Sequence, residues 1–115
     1  VTPIVVHGTH VLHAACAIYR IPLKALLSRE RRRWKEHVRA RRAVIWLCRE
    51  RLGSTWSELG RLLELHHTSV MAAHKRALAE FSTEDRFCEE LAAIWKLAKE
   101  VPPVDIRVAD TRVLH

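Results

Sequence analysis

Three glycines and four prolines are all that 115 residues contain, too little turn chemistry for a sandwich or barrel of many short strands. Cysteine is scarce as well. Cys16, Cys48 and Cys88 are odd in number, widely spaced and set in apolar helical patterns, which argues against a disulfide framework or a Cys-x-x-Cys metal site and for buried, reduced thiols. Long apolar runs are missing: Ala43 to Cys48 is the longest candidate, against the roughly 18 to 20 residues that a bilayer span needs. A membrane protein is therefore not expected. No Gly-x-x-x-x-Gly-Lys-Ser/Thr loop occurs, so no nucleotide-driven machinery of that type is encoded in these residues. Nor is there a nucleophile beside a base or a pair of carboxylates on one face, and the expectation is a protein that is not an enzyme. His7, His10 and His13 recur at spacings of three, which does not gather them neatly on one helix face, so neither metal nor cofactor is expected. The opening Val-Thr-Pro-Ile-Val-Val lacks a basic leader and is too short for a signal-peptide core. Because the first residue is Val1 rather than Met, further chain is expected upstream.

What is abundant is positive charge. Twenty Lys and Arg oppose thirteen Asp and Glu, a net charge of +7 and a pI near 10.0, which favours a polyanionic partner, nucleic acid before an anionic membrane surface. The excess is concentrated. Between Ser28 and Arg42 eight basic residues, Arg29, Arg31, Arg32, Arg33, Lys35, Arg39, Arg41 and Arg42, face only Glu30 and Glu36, the pattern of a backbone-binding arm, or alternatively of a solvated helix face. With 49% hydrophobic residues and few alternating stretches, an all-α single domain is expected over residues 1–103, with a tail at 104–115 that is loose or forms one edge strand.

Periodicity places the elements. Val11, Leu12, Ala15, Cys16 and Tyr19 predict a helix from about Thr9 to Tyr19, and Pro22 fits the first position of a short second helix carrying Leu23, Leu26 and Leu27. Val44, Leu47, Cys48 and Leu52 mark a third helix from about Val38, closed by Gly53 as a left-handed cap. Without a proline near Arg41, Arg29 to Leu52 is alternatively one long helix. Ser82 is read as the cap of a last helix, with Asp85 at its third position and Phe87, Leu91, Ile94, Trp95 and Ala98 as its apolar stripe, stopped by Pro102-Pro103. That stripe serves internal packing or self-association. Trp34, Trp46, Trp56 and Trp95 are expected in the core or at its rim rather than as base-stacking platforms.

Thr55 to Val70 is the most informative stretch. Thr55 with Glu58 three positions on makes a capping box, Leu59, Leu62 and Leu63 face inward, and Gly60 suits a close approach of two helix backbones. His66-His67-Thr68-Ser69 then opens the next helix with capping and hydrogen-bonding side chains, and Val70, Ala73, Ala77, Leu78 and Phe81 form its inward face. This is the pattern of a helix-turn-helix, whose second helix enters the DNA major groove. The histidine pair is open to a plainer reading as a cap and packing pair.

Leu26-Leu27-Ser28, a basic arm, an amphipathic helix, Trp56-Ser57-Glu58-Leu59-Gly60 and His67-Thr68-Ser69-Val70 follow one another in an order that resembles the C-terminal DNA-binding domain of the bacterial replication initiator DnaA. The resemblance covers about Ala14 to Ala79 and implies a helix-turn-helix of the Trp-repressor-like type, here with an additional C-terminal helix at about 83–100. It further implies that His67, Thr68 and Ser69 read base edges, with His66 beside them, and that one of Arg31, Arg32 and Arg33 enters the minor groove. Arg41, Arg42 and Arg49 would touch phosphates, with Lys75 as a further candidate and Trp56 near the DNA backbone. Two departures stand out. His66 replaces an Asp, and the preceding turn lacks the family's Gly-Gly-Arg and is shorter, so a different DNA site is expected. The resulting expectation is a stand-alone, sequence-selective double-stranded DNA-binding regulator of transcription or replication in a bacterial or phage setting, cytoplasmic and nucleoid-associated. The alternatives are the excised DNA-binding domain of a full initiator, or an interaction module whose arm docks an acidic protein.

Overall fold

The computed structural model describes residues 6–28 and 34–100, in which six helices and no strand occur: α1 Gly8–Tyr19, α2 Leu23–Leu26, α3 Lys35–Leu52, α4 Trp56–Leu63, α5 His67–Thr83 and α6 Asp85–Glu100. Arg31, Arg32, Arg33 and the 104–115 tail lie outside the described residues. The expected all-α class is what the chain adopts.

α3 is the axis of the core. Its Ala40, Ala43, Val44, Ile45, Leu47 and Cys48 are sealed from solvent, and the facing layer is supplied by Val11 and Ala15 of α1, Leu59 and Leu63 of α4, Val70 and Ala77 of α5, and Phe87, Ile94 and Ala98 of α6. α6 is therefore not an appendage. Phe87 and Ile94 are fully buried inside this chain, so the apolar stripe is spent on packing against α1 and α3. Burial pushes the Cys48 thiol up to about 12, an inert core group. Cys16 and Cys88 are only half-buried, a correction to the expectation of three interior thiols. Three of the tryptophans are half-buried, but Trp34 stands 54% exposed.

Boundaries follow local chemistry where partners are close in sequence. Gly53 takes the left-handed conformation, φ 64°, and closes α3 as predicted, because a Cβ-free residue adopts it without strain. At the other end Trp34 is extended, φ −65° and ψ 131°, so the alternative of one helix from Arg29 to Leu52 is overturned and α3 starts at Lys35. Pro22 is the N-cap of α2 and not its first helical residue. The Ser82 cap is also wrong: Ser82 and Thr83 remain in α5 and their hydroxyls donate to the carbonyls of Leu78 and Ala79, one turn back. The chain breaks at Glu84.

That break is fixed from α3. Arg39 donates its Nε–H to Glu90 at 2.6 Å and pairs with Glu84 at 3.1 Å, Tyr19 donates its hydroxyl to the same Glu90 oxygen at 2.9 Å, and Arg42 pairs with Glu80. One polar cluster thus ties α1, α3, α5 and α6. Burial works against the Arg39 charge, yet the hydrogen bonds that Arg39 donates to Glu90 and Glu84 outweigh it and hold the guanidinium charged. Burial, and then the Glu90 contact, raises the Tyr19 phenol.

His10 is the one fully buried imidazole among the described residues. Its Nδ1 accepts the His7 backbone N–H at 2.8 Å, which puts the ring proton on Nε2, an atom with no acceptor among the described residues. Burial, with smaller contributions from His7 and His13, lowers its pKa. Below the ordinary histidine value of about 6.5 the unfolded chain takes up a proton that the folded chain resists, so stability falls as pH drops through that range and is unaffected above it. We expect His10→Gln, which keeps an acceptor for His7, to give a shallower loss of stability between roughly pH 6.5 and 5 in urea titrations, and an unchanged slope would show that His10 is not the group responsible.

Candidate nucleic-acid interface

α4 and α5 meet through a turn with no spare room. Thr55 accepts the Glu58 amide at 3.1 Å while Glu58 accepts the Thr55 amide at 2.8 Å, the reciprocal cap expected from the sequence. The Thr55 amide holds the Glu58 carboxyl below its usual range. At the far end a Cβ on Gly60 would sit 2.6 Å from the Leu65 carbonyl oxygen, whose own N–H donates to Gly60 O at 2.8 Å. Gly60 is thus required by the turn itself, closer in sequence than the helix-to-helix contact anticipated. Glu64 carries the reversal at φ 57°, a left-handed conformation that is strained for a residue with a Cβ.

The turn delivers four predicted residues together. His66, His67, Thr68 and Ser69 are all exposed at the start of α5. His66 is the N-cap: its Nδ1 accepts the Thr68 amide at 3.3 Å and lies 2.8 Å from the Thr68 hydroxyl, and its ring rests 4.3 Å from that of His67. Capping and presentation are therefore one arrangement. Seen along α5, Thr68, Ala72 and Lys75 recur at helical spacing on an exposed strip, with Ser69 and Arg76 one step around. Arg61 on α4 is exposed beside the tip and, with Ser57, Gly60, Glu64, Leu65, His66 and His67, borders a shallow concavity. Sequence reasoning left out Arg61 and Arg76. Their helical phase relative to Gly60 and Ser69 was the signal available.

The remaining predicted cations are placed differently. Arg41 is 7% exposed and donates Nη1–H to the Leu26 carbonyl at 3.1 Å, fastening the end of α2 onto α3. Arg42 is half-buried and committed to Glu80. Both edge a cleft of about 290 Å³ between α3 and α5 that Ser69 and Arg76 also line. Arg49 donates to Ser54 O at 2.9 Å and lies 3.9 Å over the Trp56 ring, whose edge meets His74 at 5.2 Å, with His74 in turn 3.1 Å from Glu50. Arg49 and Trp56 thus brace the α3–α4 connection. Leu78 and Phe81, assigned to the inward face of α5, are 42% and 41% exposed. Among the described residues no cluster of three or more His, Cys, Asp or Glu is arranged to hold a metal ion, and no helix is long and apolar enough to cross a membrane.

The profile of the bacterial DnaA protein helix-turn-helix matches residues 9–77. The chromosomal replication initiator protein DnaA 1 of Chlamydia trachomatis is 24% identical over 91 residues, 79% of this chain and 20% of the relative. The chromosomal replication initiator protein DnaA of Roseiflexus castenholzii is 34% identical over 85 residues, 73% of this chain and 17% of the relative. The chain thus spans no more than about a fifth of the length of these relatives.

Two substitutions at the turn have opposite expected signs. Gly60→Ala forces the Leu65 carbonyl to move and should cost roughly 1 to 3 kcal/mol, whereas Glu64→Gly relieves the left-handed strain and should gain roughly 0.5 to 1 kcal/mol. Chemical denaturation of both variants checks the pair, and a loss of stability in Glu64→Gly would contradict the strain assigned to the turn.

Proposed function

The chain belongs to the bacterial DnaA helix-turn-helix family, and from that premise we propose that it is a sequence-selective double-stranded DNA-binding protein whose α5 enters the major groove N-terminus first. The observation that carries this reading is the side-chain-capped first turn of α5, which buries Val70 and leaves His67, Thr68 and Ser69 exposed on its outer surface. Hydroxyls donate or accept and the Thr methyl suits thymine, so this trio has the chemistry to distinguish base edges. Ala72 on the same strip is small enough to let the helix lie deep in the groove. Lys75, Arg61 and Arg76 are the proposed phosphate ligands, which fix register without reading sequence. Arg31, Arg32 and Arg33 are proposed as the arm that reaches the minor groove or the adjacent phosphates. Arg41, Arg42, Arg49 and Trp56 are assigned a supporting part, since each is engaged with another group of this chain.

We read the outcome of binding as control of transcription or replication by a stand-alone regulator. Support comes from the reading surface: His66 occupies the place of a carboxylate that would accept from a cytosine amino group, and its Nδ1 is engaged with Thr68. A box unlike the family's usual one follows from that exchange.

Selecting sites from a random duplex pool, then measuring binding by anisotropy, tests the proposal. Thr68→Ala should cost roughly 1 to 3 kcal/mol on the selected site and relax preference at one base pair. Lys75→Ala should weaken all duplexes alike and reduce the log-log salt slope by about 0.9. No enriched site, or equal losses on every duplex for Thr68→Ala, would overturn a reading role for the α5 tip.

A further inference from the structure

At the opposite end of α5 from the tip, Trp46, Leu47, Phe81, Cys88, Leu91, Ala92 and Trp95 enclose an apolar cleft of about 220 Å³ between α3, α5 and α6, whose remaining lining residues are Arg51, Lys96 and Lys99. Among the described residues no carboxylate lines it. Trp46 stacks on Phe81 with ring centres 4.7 Å apart, the Arg51 guanidinium lies 5.8 Å over Trp95, and Phe81 is left 41% exposed. Trp46 Nε1–H is shielded and has no acceptor among the described residues.

We propose that this cleft is a docking site for an acidic peptide segment of another protein, which seats one apolar side chain against Trp46 and Trp95 and sets its carboxylates on Arg51, Lys96 and Lys99. The volume is below the roughly 300 to 1,000 Å³ of pockets that enclose a small-molecule ligand and suits a single anchoring side chain. Charge selects the occupant's sign: among the described residues Arg51, Lys96 and Lys99 rim an aromatic floor with no anion beside them, so an acidic anchor segment is favoured and a basic one repelled. Lys96 and Lys99, one turn apart on α6 and both exposed, are spaced to meet successive carboxylates. Phe81 lies twelve residues along α5 from Ser69, roughly 18 Å at 1.5 Å per residue. The cleft and the proposed reading tip therefore do not overlap, and a partner can be held while the tip is engaged.

The test uses the whole chain and three fluorescein-labelled twelve-residue peptides: one with a single Phe flanked by Asp and Glu, one with that Phe changed to Ala, and one with the acids changed to Lys. Phosphatidylglycerol vesicles and the selected duplex serve as competing polyanions. The acidic Phe peptide should bind at least tenfold more tightly than either control, shift the indole N–H resonances of Trp46 and Trp95, and leave the amides of His67 to Ser69 unmoved. The double substitution Lys96→Gln with Lys99→Gln should weaken that peptide at least tenfold while circular dichroism and duplex affinity stay within twofold of the parent. Four results would overturn the proposal: absence of peptide binding, an acidic peptide that perturbs the α5 tip instead, vesicle binding without peptide binding, or a matching loss of duplex affinity in the double variant.

Discussion

The contact between Gly60 and the Leu65 carbonyl sets the geometry on which everything else rests. With 2.6 Å between that oxygen and the position a Cβ would take, only glycine lets the chain reverse this tightly, and Glu64 accepts a left-handed backbone to complete the turn. The angle between α4 and α5 follows from that reversal. So does the exposure of His67, Thr68 and Ser69, because a turn this short leaves α5 no slack to fold its first residues back onto the core.

A rigid tip also needs a rigid base. α3 supplies it twice, through an apolar face that touches every other long helix and through Arg39, which gathers Glu84, Glu90 and Tyr19 at the α5–α6 break. A half-buried charge is tolerated there because acidic side chains on α5 and α6 are in place to accept its N–H groups. The same logic redistributes the conspicuous basic block. Arg39, Arg41 and Arg42 are turned toward groups of their own chain, so among the described residues the positive surface around the start of α5 comes from Arg61, Lys75 and Arg76.

What could be read from the sequence was whatever had both partners within about one helical turn. The Thr55–Glu58 box, the Gly53 cap, the His66 cap and the inward faces of α1 and α3 are of this kind, and they were enough to identify the class and the helix-turn-helix. Long-range partners were invisible. Arg41 meets Leu26 fifteen positions away, Arg42 meets Glu80 thirty-eight away and Arg39 meets Glu90 fifty-one away, so charge read as a solvent-facing arm is in part internal structure. Ser82 looked like a cap because its type is right, but the helix runs on and its hydroxyl bonds to Leu78. Phe81 has the right phase for the core, yet it stacks on Trp46 at the surface; periodicity gives a direction and not the depth of the neighbours.

Whether the first turn of α5 lies against base edges in the major groove is decided by covalent capture. Disulfide cross-linking from a Thr68→Cys variant, stripped of its three native cysteines by serine or alanine, to a thiol tethered on a cytosine amino group at the groove's floor addresses it directly. A cross-link is expected at one or two adjacent base pairs of the selected site, and none to a thiol tethered on a guanine amino group in the minor groove. Tight binding with no major-groove cross-link, or an equal yield from both grooves, would contradict it.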